Sequence, residues 1–215
     1  MVTPAKGDYA SVPINLDAKK VADMWDPAKD EAAGEQCRSY GAPAIMRVPG
    51  RVHITWQDAS TLQVEMDAGK QVRLLHFGKW TPSSGAPATW QGDSIATWET
   101  PRPVGGGGGT AVTQAEQGRG EPPAAKNTPK HGDLKVLTTH LRPGYLRKNG
   151  IPYSASASMT EYWDLNKEAN GEQWMVITTL VDDPVYLQAE WATALHFKHE
   201  PDGSKWDPSP CSARW

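Results

Sequence analysis

Three titratable side chains lie on otherwise apolar stripes of the sequence, where they could carry acid–base chemistry. They are His76, His140 and Glu161. Apolar or uncharged residues at even spacings accompany each of them: Val72 and Leu74 for His76, Leu134, Val136 and Thr138 for His140, and Met159 and Trp163 for Glu161. Residues two apart share one face of a strand, and burial shifts a pKa towards the neutral form. We therefore predict these three as catalytic groups in an interior cavity. The alternative is a structural polar cluster whose members satisfy one another.

The aromatic content also suggests a cavity, because ten Trp and six Tyr stand against only two Phe. Indole and phenol combine an apolar body with a polar group, which suits the wall of a ligand site as well as a core. The predicted ligand-binding residues are Trp90, Trp98, Tyr153, Trp163 and Trp174. The turn at residues 147–150, which Tyr145 and Tyr153 flank, could orient a polar group of a substrate at a barrel mouth.

Several common functional classes lack their signatures. The chain has no Gly-x-Gly-x-x-Gly, P-loop, Gly-x-Ser-x-Gly or Cys-x-x-Cys motif, so we expect no cofactor. No metal site is predicted, because His196 and His199 would point to opposite faces of a strand. The net charge of -3 and the absence of a Lys/Arg run argue against a nucleic-acid partner. A mean hydropathy of -0.59 fits a chain without a membrane span.

Apolar residues recur with a period of two, which is typical of half-buried strands. The predicted strands cover residues 51–56, 62–67, 71–77, 94–100, 134–141, 156–165, 173–181 and 193–199. Tight turns are predicted at residues 67–70 and at Asn170-Gly171. About eight strands joined mostly in sequence would hide their edges best as an antiparallel meander that closes into a lipocalin-like barrel. A two-sheet β-sandwich is the alternative.

The chain divides into an N-terminal arm, residues 1–36, and one barrel domain, residues 37–215. The arm is polar apart from a short helix predicted from Asp17 to Trp25, with Val21, Met24 and Trp25 on one face. Residues 101–133 are rich in Gly and Pro, which predicts a flexible insertion, either dispensable or acting as a lid.

The two cysteines, Cys37 and Cys211, predict a disulfide that closes the barrel domain. The first residues lack the apolar core of a signal peptide and are typical of a mature sequence supplied with an initiator Met. A disulfide places the protein in an oxidising compartment, so we expect it to be periplasmic or secreted.

Several segments resemble a family of uncharacterised exported bacterial proteins and, more loosely, the lipocalin-like barrels. The similar segments are residues 90–95 (a Trp-x-Gly-Asp turn and strand), 149–154, 159–163 and 181–186, with Trp206 and Pro210-Cys211 near the end. Tyr162-Trp163 stands where Arg-Phe is more common in that family. The resemblance implies a fold and a compartment, and it carries no established activity.

The sequence is compatible with three functions. The first is periplasmic binding of a small hydrophobic or aromatic molecule in the barrel cavity. The second is a cofactor-free lyase, isomerase or hydratase that uses His76, His140 and Glu161 in the same cavity. The third is an envelope structural protein without a small ligand.

Overall fold

The computed structural model describes residues 4–99 and 133–214. The predicted flexible insertion at residues 101–133 lies outside the described residues, except for position 133, where a strand begins.

The described strands form one eight-stranded and one two-stranded sheet. They are β1 (Val52–Trp56), β2 (Thr61–Met66), β3 (Gln71–Phe77), β4 (Asp93–Glu99), β5 (Asp133–Thr139), β6 (Gly144–Tyr145), β7 (Pro152–Tyr153), β8 (Ser158–Lys167), β9 (Gln173–Asp182) and β10 (Trp191–Lys198). The large sheet has the order β1-β2-β3-β4-β5-β8-β9-β10 and curls into a half-barrel, with β1 and β10 at its edges. The predicted all-β, barrel-like fold is confirmed.

Both predicted turns join neighbouring antiparallel strands. Lys70 N donates to the Asp67 carbonyl at 3.2 Å, and Gly69 between them has φ +74°. Gly171 has φ +88° in the β8–β9 hairpin. Residues with positive φ match the twist of two-stranded hairpins, so the residues of these turns favour both connections.

One strand pair departs from the predicted meander, because β3 and β4 run parallel. The chain crosses over between them and enters β4 through Gly92, which has φ +61°. A Cβ at Gly92 would lie 2.5 Å from the Thr139 carbonyl oxygen on β5. The Trp-x-Gly-Asp segment thus needs glycine both for its backbone angle and for its close approach to β5.

Short helices precede the sheet. They are α1 (Leu16–Met24), α2 (Pro27–Ala32), a 3₁₀ turn (Arg38–Tyr40) and α3 (Ala42–Ile45). Asn15 caps α1 by accepting hydrogen bonds from two backbone N–H groups of the first turn. The predicted helix is confirmed, but the predicted buried face is wrong: Ala18 and Ala22 are buried while Met24 is 72% exposed. Small residues allow this helix to lie closer to the body than Met would.

The Cys37–Cys211 disulfide is present and confirms that prediction. It joins residues 174 positions apart and fixes the C-terminal segment beside β2, where Ser209 forms a bridge with Ala68. No helix within residues 4–99 and 133–214 has the length and apolar character required to span a membrane.

The side chains on the inner face of the curled sheet pack against one another and against the segment around α3. Buried residues of this core include Leu62, Val64, Met66, Leu75, Ala96, Leu134, Val136, Trp163 and Ile177 from the sheet. Tyr40, Ile45 and Met46 pack against them from the other side. The concave side of the half-barrel is therefore a packed core in the described part of the chain.

Candidate functional site

Glu161 lies at an internal polar centre, as strand parity predicted. The side chains of Glu161 and Arg73 are both fully buried. Arg73 Nη1 and Nη2 donate to Glu161 Oε1 and Oε2 at 3.1 and 2.6 Å. Arg73 Nη2 also donates to Thr138 Oγ1 at 3.3 Å, and that hydroxyl is 2.8 Å from Ser94 Oγ. Both carboxylate oxygens are thus engaged in a bidentate, charge-assisted pair.

Sequence reasoning missed Arg73 because the pair joins strands that are not neighbours. Strands β3 and β8 are separated by β4 and β5. Three strand spacings of a flat sheet would amount to roughly 14 Å, so contact requires the curl. The available signal was parity: Arg73 lies two residues from the buried Leu75 and therefore shares its face of β3.

His76 lies on the opposite, outer face of β3, so its predicted interior position is wrong. Its stripe partners Val72 and Leu74 are 47% and 37% exposed. The imidazole stacks on Trp80 with ring centroids 4.0 Å apart. Partial burial there lowers the pKa of His76, and the nearby Asp58 carboxylate partly offsets the shift. Both faces of β3 carry apolar residues, which is why parity alone did not identify the inner one.

His140 lies just beyond the end of β5, and its predicted place on an apolar interior stripe is also wrong. Its Nδ1 is 2.8 Å from Asp93 Oδ2, and its side chain is 40% exposed. The residue has φ +55°, so the chain leaves the strand before the alternation reaches it. The structure therefore does not bring His76 and His140 to Glu161, which is paired with Arg73 instead.

Two of the predicted ligand-binding aromatics, Trp98 and Trp163, lie on the inner face. Both are in register with Leu134 on β5. Trp98 stacks on Phe77 at 5.5 Å, and Trp163 is 5% exposed with no hydrogen-bond partner for its indole N–H. Trp163 is therefore a member of the core, and the partly buried Trp98 packs against it.

The other three predicted aromatics lie apart from one another. Trp90 donates its indole N–H to the carbonyl of residue 143 at 3.3 Å, and the Arg142 guanidinium lies over its ring. Tyr153 is 1% exposed in the small β6–β7 sheet, where burial raises the pKa of its phenol. Trp174 donates its indole N–H to Glu172 at 3.3 Å. These three residues do not form one wall.

An apolar void lies between the α3 segment and the sheet, beside Met46, Val52, Met66 and Phe197. Its volume of about 10 Å³ is close to the minimum for one water molecule, whereas ligand sites measure roughly 300–1,000 Å³. This void cannot take an aromatic ligand.

A different cluster lies at the start of β10, where two arginines contact the ring of Trp191. We call Arg47, Arg147 and Trp191 the arginine–tryptophan site. The guanidinium carbons of Arg47 and Arg147 lie 5.1 and 5.5 Å from the Trp191 ring centroid. Arg47 follows α3, and Arg147 lies in the turn between β6 and β7. Cations over an indole face are attracted by its quadrupole, so one ring holds two positive charges.

The electrostatics of this site disfavour two unpaired cations. Burial lowers the pKa of Arg47, and the positive charge of Arg147 lowers it further. Burial also lowers the pKa of Arg147, with a partial offset from the Asp8 carboxylate. Within residues 4–99 and 133–214, neither guanidinium forms an ion pair. Among the described residues, the site therefore holds two guanidinium groups with no carboxylate in direct contact.

Two other arginines over aromatic rings do have carboxylate partners. Arg38 lies over Tyr145 and pairs with Asp30 at 3.3 Å. Arg142 lies over Trp90 and pairs with Glu35. The arginine–tryptophan site has the same cation–ring geometry, but no described carboxylate forms an ion pair with its guanidinium groups, and Asp8 acts on Arg147 only at longer range.

Arg147 is held by the N-terminal arm. Its Nη1 donates to the Ala10 carbonyl at 3.1 Å and its Nη2 to Ser11 Oγ at 2.9 Å. The residue is 8% exposed, yet its buried Nε has no hydrogen-bond partner. A buried N–H without an acceptor costs free energy, and an anion that reached this donor would remove that cost.

The sequence indicated this site only through the turn at residues 147–150. Arg47 and Trp191 belong to segments far from that turn in the chain, and no periodic pattern links the three. No group of three His, Cys, Asp or Glu side chains among the described residues is placed to hold a metal ion.

Comparison of the chain with protein-family models, curated proteins and solved structures gives no match. The resemblance to exported bacterial proteins therefore stays a prediction, and functional inference rests on the site itself.

Proposed function

We propose that the protein is an exported small-molecule-binding protein whose ligand carries an oxyanion group, held by Arg47 and Arg147 beside Trp191. The observation that carries this proposal is the pair of guanidinium groups on one indole with no carboxylate partner among the described residues. The disulfide between Cys37 and Cys211 supports the exported compartment.

The chemistry of the site favours a planar or tetrahedral oxyanion. Guanidinium groups present donors in a fixed fork that matches carboxylate and phosphate oxygens. An anion would relieve the repulsion between Arg47 and Arg147 and give the orphaned Arg147 Nε–H an acceptor. The body of the ligand is the small hydrophobic or aromatic molecule that the tryptophan content predicts, now attached to an anionic group.

The enzymatic alternative has less support. Its three named residues lie at separate places, and Glu161 is occupied by Arg73. The envelope structural role has no specific observation in its favour.

Isothermal titration at low ionic strength tests the proposal with three probes: benzoate, inorganic phosphate and benzamide, the neutral analogue of benzoate. We expect benzoate or phosphate to bind and benzamide to bind at least tenfold more weakly than benzoate, because hydrogen bonds to charged groups are worth about 1.5–3 kcal/mol. The comparison of benzoate with phosphate identifies which oxyanion the site prefers.

Two variants locate the binding. Arg47→Gln removes a guanidinium that has no ion pair with a described residue, and we expect at least tenfold weaker anion binding. Arg142→Gln removes a guanidinium with the same relation to an indole but with a carboxylate partner, and we expect unchanged affinity. Equal affinities of wild type and Arg47→Gln, or equal losses in the two variants, would contradict the proposal.

A further inference from the structure

The arginine–tryptophan site is covered by a short stretch of the N-terminal arm, which we call the strap, residues 8–14. The strap is attached at both ends. Asn149 Nδ2 donates to the Asp8 carbonyl at 2.9 Å, and Ile14 forms a bridge with Leu187. Between these attachments Ala10 and Ser11 contact Arg147 and Trp191, and Val12 is buried in the same apolar cluster as Trp191.

The strap supplies the site with oxygen acceptors at three points. The Ala10 carbonyl and Ser11 Oγ accept from the two Nη atoms of Arg147. The Ser11 carbonyl accepts from the Trp191 indole N–H at 2.9 Å. These neutral oxygens occupy the donors that an oxyanion would use, and charge-assisted bonds to an anion are roughly twice as strong.

The backbone of the strap is strained where it makes these contacts. Ser11 has φ +65°, in the left-handed region that residues with a Cβ rarely adopt. Its side chain and its carbonyl both face the site. Strain of this kind is held only where the surrounding contacts maintain it, and it lowers the free energy needed to release the segment.

We propose that the strap is an autoinhibitory segment: Ala10 and Ser11 occupy the Arg147 and Trp191 donors in the free protein, and an oxyanion ligand displaces them. This inference rests on the proposed function. Such a ligand binds only when the strap is released. Its apparent affinity is then its intrinsic affinity multiplied by the fraction of molecules in the released state. Changing the stability of the closed strap therefore changes the anion affinity without changing any ligand contact.

Two substitutions at Ser11 in the full chain separate backbone strain from side-chain contact. Ser11→Ala and Ser11→Gly both remove the hydroxyl that accepts from Arg147. Glycine tolerates positive φ and stabilises the closed strap, whereas alanine retains the strain. We expect benzoate or phosphate to bind Ser11→Ala about fivefold more tightly than Ser11→Gly, the factor that matches the usual penalty of a left-handed residue.

Lys70 provides the matched control, because it has φ +51° in the β2–β3 turn. Lys70→Ala and Lys70→Gly should bind the same probe with equal affinity. Equal affinities of the two Ser11 variants, in a protein that binds anions through Arg47, overturn the strap and leave the proposed function intact. If neither the wild-type protein nor any of these variants binds benzoate or phosphate, the proposed function is overturned and the strap with it.

Hydrogen exchange gives an independent reading of the same displacement. Saturating the wild-type protein with the anion that it binds should increase exchange in peptides from residues 8–12 and leave the Lys70 turn unchanged. Slower exchange of the strap on binding would show that it closes over the ligand, which contradicts displacement.

Discussion

Replacing Glu161 by glutamine leaves the buried Arg73 guanidinium without its counter-charge. In the native protein both carboxylate oxygens accept from Arg73. Glutamine keeps one acceptor and places an NH₂ group against the other N–H donor. Removing one partner of a buried ion pair costs about 3–5 kcal/mol, so we expect Glu161→Gln to lose that much stability. For a chain of this size the midpoint of thermal unfolding should fall by roughly 6–20 °C.

The double variant Arg73→Met/Glu161→Leu tests whether the loss comes from the unpaired charge. Apolar replacement of both partners is often neutral or stabilising by about 1–4 kcal/mol, so the double variant should be more stable than Glu161→Gln. Urea unfolding of the three proteins gives the free energies. The surface pair of Glu172 with Lys198 is the matched control, and Glu172→Gln should change stability by less than about 1 kcal/mol.

A Glu161→Gln variant within about 1 kcal/mol of wild type would refute this reasoning, because Arg73 has no exposed surface through which water could replace the carboxylate. A double variant less stable than Glu161→Gln would also refute it. In that case the pair would stabilise the curl of the sheet by more than its desolvation costs.

Three further outcomes follow from the fold. The Cys37–Cys211 disulfide joins residues 174 positions apart, so in the chain-entropy model its reduction should lower the free energy of unfolding by about 5 kcal/mol. Urea unfolding with and without reductant measures this loss, and a difference under about 1 kcal/mol would contradict the model. Gly92→Ala should destabilise the protein by at least about 1 kcal/mol, because its Cβ would meet the Thr139 carbonyl and its φ is positive; an unchanged melting midpoint would contradict that geometry. His76 should titrate below its usual pKa of 6.5 in an NMR titration. Because its folded pKa is lowered, stability should fall as the pH drops below 6.5, and the His76→Gln variant should lose that part of the pH dependence.

Strand positions could be predicted from the sequence because side-chain alternation is a local property. The period of two located the eight strands of the large sheet and placed Glu161 on a buried face. It could not show which face of β3 is internal, since Val72 and Leu75 are both apolar and lie on opposite faces. His76 was therefore assigned to the wrong side.

Contacts between distant segments could not be predicted in the same way. Arg73 meets Glu161 only because the sheet curls across two intervening strands. Arg47, Arg147 and Trp191 come from a helix end, a turn and a strand start, so no spacing rule connects them. The parallel β3–β4 pair likewise depends on a crossover whose path leaves no periodic pattern.

The proposed function requires an oxyanion to bind between Arg47 and Arg147. The most direct measurement follows the arginine Nε–H signals by NMR in isotope-labelled protein during a titration with benzoate and with phosphate. Arg147 Nε–H has no hydrogen-bond partner among the described residues, so its signal should move downfield as the anion accepts from it, together with that of Arg47. Movement confined to Arg38 and Arg142, or none at Arg147 up to saturation of binding, would contradict the claim.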